Sequence, residues 1–403
     1  MEWKITNIGS LCDRVCSGGT PKSTNNAYYN GNIPWLNTKE VNFNRIYDTE
    51  KNITQLGLEN SSAKWISENS VIVAMYGATA GKVAITKIPI TTNQACCNLS
   101  INSEIADYNF VYYFLCSKFY ELSSLANGGA QQNLNAQIIK DFPIKIPVNL
   151  SDQRKIAGIL SALDSKIENN NKINGNLEAQ AEALFKSWFV DFTQFKDQPF
   201  VDSELGPIPQ GWKVGKLGDI GEIVGGSTPS KSKPEYYTTH GIAWLTPKDL
   251  STSKAKFTSR GEIDITDEGY NSTSIKLMPR GSVLFSSRAP IGYLTIAKNE
   301  ICTNQGFKSL VPNGAGTGFI YYTLRHLTPQ IENRATGSTF KEASATLMRS
   351  VETIVPPTSI LNKFEELLRP ILQFQEKKEE ENQRLAALRD TLLPKLMSGE
   401  IKL

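Results

Sequence analysis

Residues 151–188, SDQRKIAGILSALDSKIENNNKINGNLEAQAEALFKSW, place apolar side chains three and four apart: Ile156, Leu160, Leu163 and Ile167, then Leu177, Ala181, Leu184 and Trp188. That spacing is the a/d seam of a long helix, roughly 3.5 residues per repeat, and a seam needs a partner to cover it. Ser151 offers a hydroxyl to the free N–H groups of the first turn and marks the start. Two seam positions near the middle, Asn170 and Asn174, are polar. A helix of ~36 residues spans ~54 Å, so the stretch reads as a strut.

The chain around it has 403 residues, more than the ~250–300 at which single cores stop growing, so two or three domains are expected. With 43 basic and 40 acidic residues the net charge is +3, which permits a nucleic-acid partner without arguing for one. Cys12, Cys16, Cys96, Cys97, Cys116 and Cys302 form no pair of CxxC knuckles, and His240 and His326 stand far from most of them. No metal site is expected, and the thiols read as small core residues in a reducing, cytoplasmic compartment. The opening MEWKITNIGS lacks a signal-peptide pattern and no run approaches ~18 apolar residues, so no membrane is expected.

A search for self-similarity changes the problem. WKITNIGSL (3–11) is answered by WKVGKLGDI (212–220), GGTPKS (18–23) by GGSTPSKS (225–232), and NIPWL (32–36) by GIAWL (241–245). SVIVAMYGATAGKVAI (70–85) is answered by SVLFSSRAPIGYLTI (282–296), TNQACCNL (92–99) by TNQGFKSL (303–310), and FVYYFL (110–115) by FIYYTL (319–324). Offsets stay between 208 and 212, so one unit is used twice. Each copy reads as short strands and Gly/Pro turns, then one helix near residues 110–125 or 319–332, then a long helix after Pro147 or Pro356. The second long helix is expected from about Ile360 to Leu396, and the Pro/Gly-bearing stretch 191–211 as linker.

Shifted by 208, the first seam falls on Phe364, Leu368, Ile371, Gln375, Lys378, Asn382, Leu385, Arg389, Leu392 and Leu396, with polar Lys378 and Asn382 in the places of Asn170 and Asn174. The two helices are therefore expected to pair antiparallel. Ile156 would meet Leu396, Leu160 Leu392, Ile167 Leu385, Leu184 Leu368, Asn170 Asn382 and Asn174 Lys378. Polar groups at such positions cost stability but fix register. Two similar units on antiparallel struts, related by a pseudo-two-fold repeat, suit a duplex with two half-sites.

GATAGK (77–82) resembles a phosphate loop but is one residue short and is followed by Val83. Dinucleotide fingerprint, amino-methyltransferase tetrad and nucleophile–base set are all missing, so no catalytic residue is assigned. Trp35, Trp244, Tyr112 and Tyr321 read as core before they read as base-stacking residues. Candidate DNA contacts lie in the polar loops. Thr20, Lys22, Thr228 and Lys231 sit in Gly/Pro turns suited to phosphates, and Lys39 and Lys248 follow the two tryptophans. Tyr76 and Lys82 in the first copy, with Ser287 and Arg288 in the second, flank matching turns. Gln131, Gln132 and Asn133 carry amides able to read adenine edges, while Ser338, Thr339 and Lys341 occupy the matching place with different chemistry. Frame residues repeat and loop contents diverge, as a reader of two unlike half-sites requires.

GGTPKS with YYNGNIPWL, GGSTPSKSKPEYY with GIAWL, SSRAPIG, TNQGFKSL, GPIPQGW and SDQRKIAGILSALDSKI, in this order, resemble the specificity subunit of type I restriction–modification systems over essentially the whole chain. The resemblance implies a mixed α/β (α+β) fold. Two target-recognition domains, 1–150 and 212–357, would be separated by an antiparallel coiled coil of spacer helices, 151–190 and 358–403. It implies double-stranded DNA as ligand, with two modification subunits using S-adenosylmethionine and restriction subunits using ATP and Mg2+ as partners. This chain would bind no cofactor and would direct adenine methylation and restriction without catalysing either. A protein-assembly scaffold that never touches DNA is the alternative reading. One departure is that Arg288 has no basic counterpart at Tyr76, so contacts of one half do not transfer to the other.

Overall fold

The computed structural model describes residues 1–127, 134–253, 255–337, 341–401 and 403. Its contacts gather into two compact units, Met1–Glu168 with Gln383–Leu403, and Asn169–Asn382. Each unit thus owns part of both long helices, and the division runs through those helices rather than at residues 150 and 358.

In the first unit, five strands lie in the order Cys12–Ser17, Cys96–Ile101, Val71–Ala74, Val83–Thr86 and Asn44–Ile46. All neighbours are antiparallel except the last pair, which is parallel. Val71–Ala74 and Val83–Thr86 are buried at every position. Successive side chains of a strand point to opposite faces. Val71, Val73, Val83 and Ile85 therefore join a core with the helices, while Ile72, Ala74 and Ala84 join a second cluster with Leu36 and Val41. The second unit repeats this order and this single parallel pair with Gly221–Gly225, Lys308–Pro312, Val283–Ser287, Ile291–Ala297 and Phe257–Thr258. Trp3–Asn7 pairs with Pro143–Pro147, and Lys213–Lys216 with Glu352–Val355, closing each copy by joining its beginning to its end.

Several expectations shift. The helix read at 110–125 is two helices, Tyr108–Ser117 and Phe119–Asn127, broken where Lys118 leaves helical geometry. Residues 191–211, read as linker, fold against the second unit: Phe195 and Ile208 are buried with Trp212, and Phe200–Val201 pairs with Ile208–Pro209. Prolines and glycines marked the breaks there, but the aromatic anchors between them decide the packing.

The first long helix runs Leu150–Phe189 and the second Thr358–Ser398. Asn149, not Ser151, supplies the cap: its Oδ1 accepts from the Ser151 N–H at 2.8 Å. In the first unit Ile156, Leu160 and Leu396 are fully buried, with Leu392 packed beside them, while Ile167 and Leu385 are half-buried. In the second unit Ala181, Phe364 and Leu368 are buried, Leu184 packs against them, and the Trp188 ring lies 5.8 Å from that of Phe364. Phe185 and Phe189, off the expected seam, are more deeply buried than Trp188 because they face the globular core as well as the partner helix.

Between these apolar ends lies a polar layer. Asn170, wholly buried, donates from Nδ2 to Asn382 Oδ1 at 2.9 Å, and Asn382 Nδ2 donates to Asn171 Oδ1 at 2.7 Å. Asn174 does not meet Lys378. Its Nδ2 donates to the Gln375 carbonyl at 3.5 Å, and Gln375 Nε2 returns a bond to the Asn174 carbonyl at 3.3 Å. Lys378 instead reaches Glu381 of its own helix at 2.8 Å, because its long stem lets the ammonium escape the seam that a shorter side chain occupies.

Charged clasps seat each sheet edge on the helices. Arg45, from the parallel edge strand, donates to Ser161, Ser165 and Glu168, and Tyr113 with Arg389 holds Asp164. In the second unit Lys256 donates to Glu178 of the first helix, to Gln375 of the second at 3.0 Å, and to Tyr322 at 2.7 Å. Burial depresses the Lys256 ammonium below its usual value even beside that carboxylate. Burial also pushes Glu178 up, but Lys256, Gln375 and Arg325 pull it further down, below the ordinary carboxylate range.

The amide layer yields a test. Asn170→Leu leaves the Asn382 Oδ1 without its donor and should cost about 1–3 kcal/mol in chemical denaturation. The double variant N170L/N382L removes both partners of that bond, and the Asn171 amide that loses Asn382 is exposed, so it should cost less than the two singles summed; additive losses would refute a paired role.

Candidate nucleic-acid interface

Each copy builds the same turn. Gly18 and Gly226 lie so close to backbone that a Cβ on Gly18 would overlap Thr92 O, and one on Gly226 would overlap Asn304 O. Only glycine permits that approach. The Tyr29 hydroxyl donates to Pro21 O, and the Tyr237 hydroxyl to Pro229 O, both at 2.6 Å. Trp35 Nε1 donates to Gly19 O at 2.9 Å and Trp244 Nε1 to Ser227 O at 3.2 Å. Trp35, Trp244, Tyr112 and Tyr321 are all buried, so these rings support the face rather than stack on bases.

The turn presents Thr20 and Thr228, whose hydroxyls donate to Oε1 of Gln94 and Gln305. Neither glutamine was singled out by its residue type, although the TNQ triplet that carries both repeats in the sequence. Both are exposed. The carboxylates of Glu40 and Asp249 tie the next turn together, accepting from Asn37 and Glu50 N–H in one copy and from Thr246 and Glu262 N–H in the other. Lys39 and Lys248 stand on these turns, paired with Glu50 and Glu262 on the surface. Exposed pairs of this kind are worth about 0–1 kcal/mol, so either ammonium can exchange its partner for a phosphate at little cost.

In the second unit the pieces converge. Thr228, Lys231, Lys248, Asn304 and Gln305 line one groove of about 540 Å³ floored by Tyr237 and Trp244. Beside it Glu342 bridges Lys308, at 3.2 Å, and Arg288, at 3.6 Å, and Lys308 also donates to the Gln305 carbonyl. In the first unit Thr79 donates to the Thr38 carbonyl, which holds the turn following exposed Tyr76 next to the one bearing Lys39.

The other candidates divide. Lys22 and Lys231 are both exposed, but at the offset of 208 that aligns the tyrosines Lys22 meets Ser230, so the two ammoniums are displaced by one position. Lys82 donates to Asn42 Oδ1 at 2.7 Å, and GATAGK runs into the strand Val83–Thr86 where a phosphate loop would open a helix. Ser287 is not on the surface: it is fully buried in its strand, its N–H bonded to the Gly306 carbonyl and its carbonyl to the Ala343 N–H. Alternation along Val283–Ser287 was masked because this strand is covered on both faces. Lys341 is exposed, its ammonium 3.4 Å from the Glu332 carbonyl. Gln131, Gln132, Asn133, Ser338 and Thr339 lie outside the described residues.

All six cysteines are free, and burial pushes the Cys12, Cys97 and Cys302 thiols up to about 12, so they stay protonated at neutral pH. Among the described residues, no cluster of three or more His, Cys, Asp or Glu is placed to hold a metal, and no helix is long and apolar enough to cross a membrane.

A family model described as the type I restriction modification DNA specificity domain matches residues 1–179 and 209–385. The chain is similar to the specificity subunit of the type I restriction enzyme MjaIX from Methanocaldococcus jannaschii, 30% identical over 420 residues, covering 100% of this chain and 94% of that protein. The HindI specificity subunit from Haemophilus influenzae is 24% identical over 469 residues, covering 99% of this chain and all of the relative. Among solved structures, the S subunit of a type I restriction–modification system from M. genitalium superposes with a TM-score of 0.63 at 18% identity, covering 98% and 96% of the two chains, a likeness of fold.

Gly226→Ala should push the turn off Asn304 O and break the Ser227 N–H bond to Thr303 O. The expected loss is about 1–3 kcal/mol, read as a lower melting temperature; an unchanged melting curve would mean the turn is not held by close approach.

Proposed function

Because the chain belongs to the DNA specificity family of type I restriction–modification systems and is the component that recognises the DNA target, we propose that it reads a split, asymmetric duplex site, one half with each unit, and itself catalyses nothing. The observation that carries this reading is the duplicated face. Gly, Tyr, Trp, Thr and Gln stand at equivalent places in both copies, while Tyr76 in one is replaced by the Ser287–Arg288 strand end in the other. Equal frames with unequal contents suit two half-sites of different letters.

On this reading the described lysines and Arg288 supply phosphate and base contacts, and partner subunits share the charge that a net of +3 leaves short. Methyl transfer from S-adenosylmethionine to adenine falls to two modification subunits, and ATP- and Mg2+-dependent translocation and cutting to restriction subunits. The long helices connect the two units, so their length is the variable that changes the gap between half-sites.

Mapping adenine methylation in a genome that expresses this chain with its modification subunits tests the reading. A two-part asymmetric motif with a gap of several base pairs is expected. A short continuous palindrome would contradict it, and absence of DNA binding with or without the modification subunits would favour an assembly scaffold. Removing four residues, about one helical turn, from Leu150–Phe189 should change the gap or abolish binding, with the half-site letters unaltered.

A further inference from the structure

We propose that Gln94 and Gln305 are a matched pair of DNA-backbone clamps, each donating its side-chain amide to a phosphate of its own half-site; this rests on the DNA-recognition function above. The geometry of the two sites is the same. A glycine-tight turn, pinned by a tyrosine hydroxyl and a tryptophan N–H, sets a threonine hydroxyl against the glutamine Oε1. With its carbonyl so occupied, each glutamine is tethered to its own turn through Oε1 and keeps both NH2 donors. Both side chains are exposed, and among the described residues neither Nε2 has a partner. A polar group tethered by its acceptor to its own turn, with its donors unspent, is placed for a ligand that accepts hydrogen bonds.

The chemistry of that ligand follows from the repeat. A residue that stands in the same place in both copies cannot distinguish two different half-sites. It contacts what the two halves share, and every duplex shares its phosphates. In the second unit Gln305 lines the groove that also holds Lys231 and Lys248, with Asp249 and the Lys248 partner Glu262 on the same lining; a phosphate there would take the Gln305 amide and the Lys231 ammonium and displace Glu262 from Lys248. Discrimination is left to positions where the copies differ, such as Tyr76 and Arg288.

Glutamine-to-glutamate substitutions give a test that spares the fold, since a carboxylate still accepts the threonine hydroxyl. The assembly of this chain with its modification subunits is titrated with its own target duplex and with a scrambled duplex over a range of salt. Gln94→Glu and Gln305→Glu should each weaken binding to both duplexes by the same factor, roughly ten-fold or more, leaving the specificity ratio unchanged. Gln94→Leu and Gln305→Leu should weaken both duplexes equally without changing the slope of log affinity against log salt, because a neutral amide displaces no counterion. Lys231→Ala should lower that slope by about one. Loss confined to the target duplex, with one letter relaxed, would overturn the proposal and make the glutamine a base reader. Variants that bind both duplexes as tightly as the parent would also overturn it while leaving the DNA-recognition function intact. A parent assembly that binds neither duplex would overturn both.

Discussion

A helix of 40 residues has to bury its apolar stripe along its whole length, and the structure depends on how Leu150–Phe189 does so. Ile156 and Leu160 sink into the first unit, and Ala181, Phe185 and Phe189 into the second, each large side chain contributing about 1.5–3 kcal/mol. Between these ends the stripe lapses into amides. Asn170 is wholly buried, and its pairing with Asn382 is satisfied at only one register. Apolar contacts tolerate sliding by a turn, but a buried amide facing a leucine does not. The polar layer weakens the helix pair a little and removes its alternatives.

Polar contacts also seat the sheets. Arg45, on the edge strand of its sheet, reaches a carboxylate and hydroxyls on the first long helix, and Lys256, just before the edge strand of the other sheet, reaches Glu178 and Gln375 on the two long helices. Burying such charges costs desolvation that the ion pair only partly returns, so their yield is geometry rather than stability. Arg45 lies on the strand Asn44–Ile46, four residues after the short helix Thr38–Glu40 that bears Lys39, and Lys256 immediately precedes the strand Phe257–Thr258, close in sequence to the helix Pro247–Ser253 that bears Lys248. Each of these segments is therefore fixed against the helices of its own unit through a cation the solvent hardly reaches.

The turn shows why aromatic residues beneath a polar surface need not be exposed on it. Tryptophan and tyrosine here spend their N–H and O–H groups on carbonyls of the glycine turn and bury their rings beneath it. They hold a threonine and a glutamine in place, and those small polar groups meet the solvent.

The duplication, the strand-and-turn character of each copy and the helix seam were legible in the sequence because they are linear patterns: an offset, an alternation, a spacing. The Asn170–Asn382 pairing could be read for the same reason, since shifting one seam onto the other is arithmetic. The tertiary structure alone decided what depends on a third body. Arithmetic sets Lys378 opposite Asn174, yet Asn174 exchanges bonds with Gln375, through a backbone carbonyl of each, while Lys378 reaches Glu381 of its own helix. Phe185 and Phe189 lie off the a/d positions but are buried, since the sheet and helix core covers a second face. Ser287 reads as a loop polar residue and is enclosed by its neighbours, while Phe195 and Trp212 turn an apparent linker into packed structure. Periodicity says which side of an element is apolar; only the arrangement of the other elements says how many sides are covered.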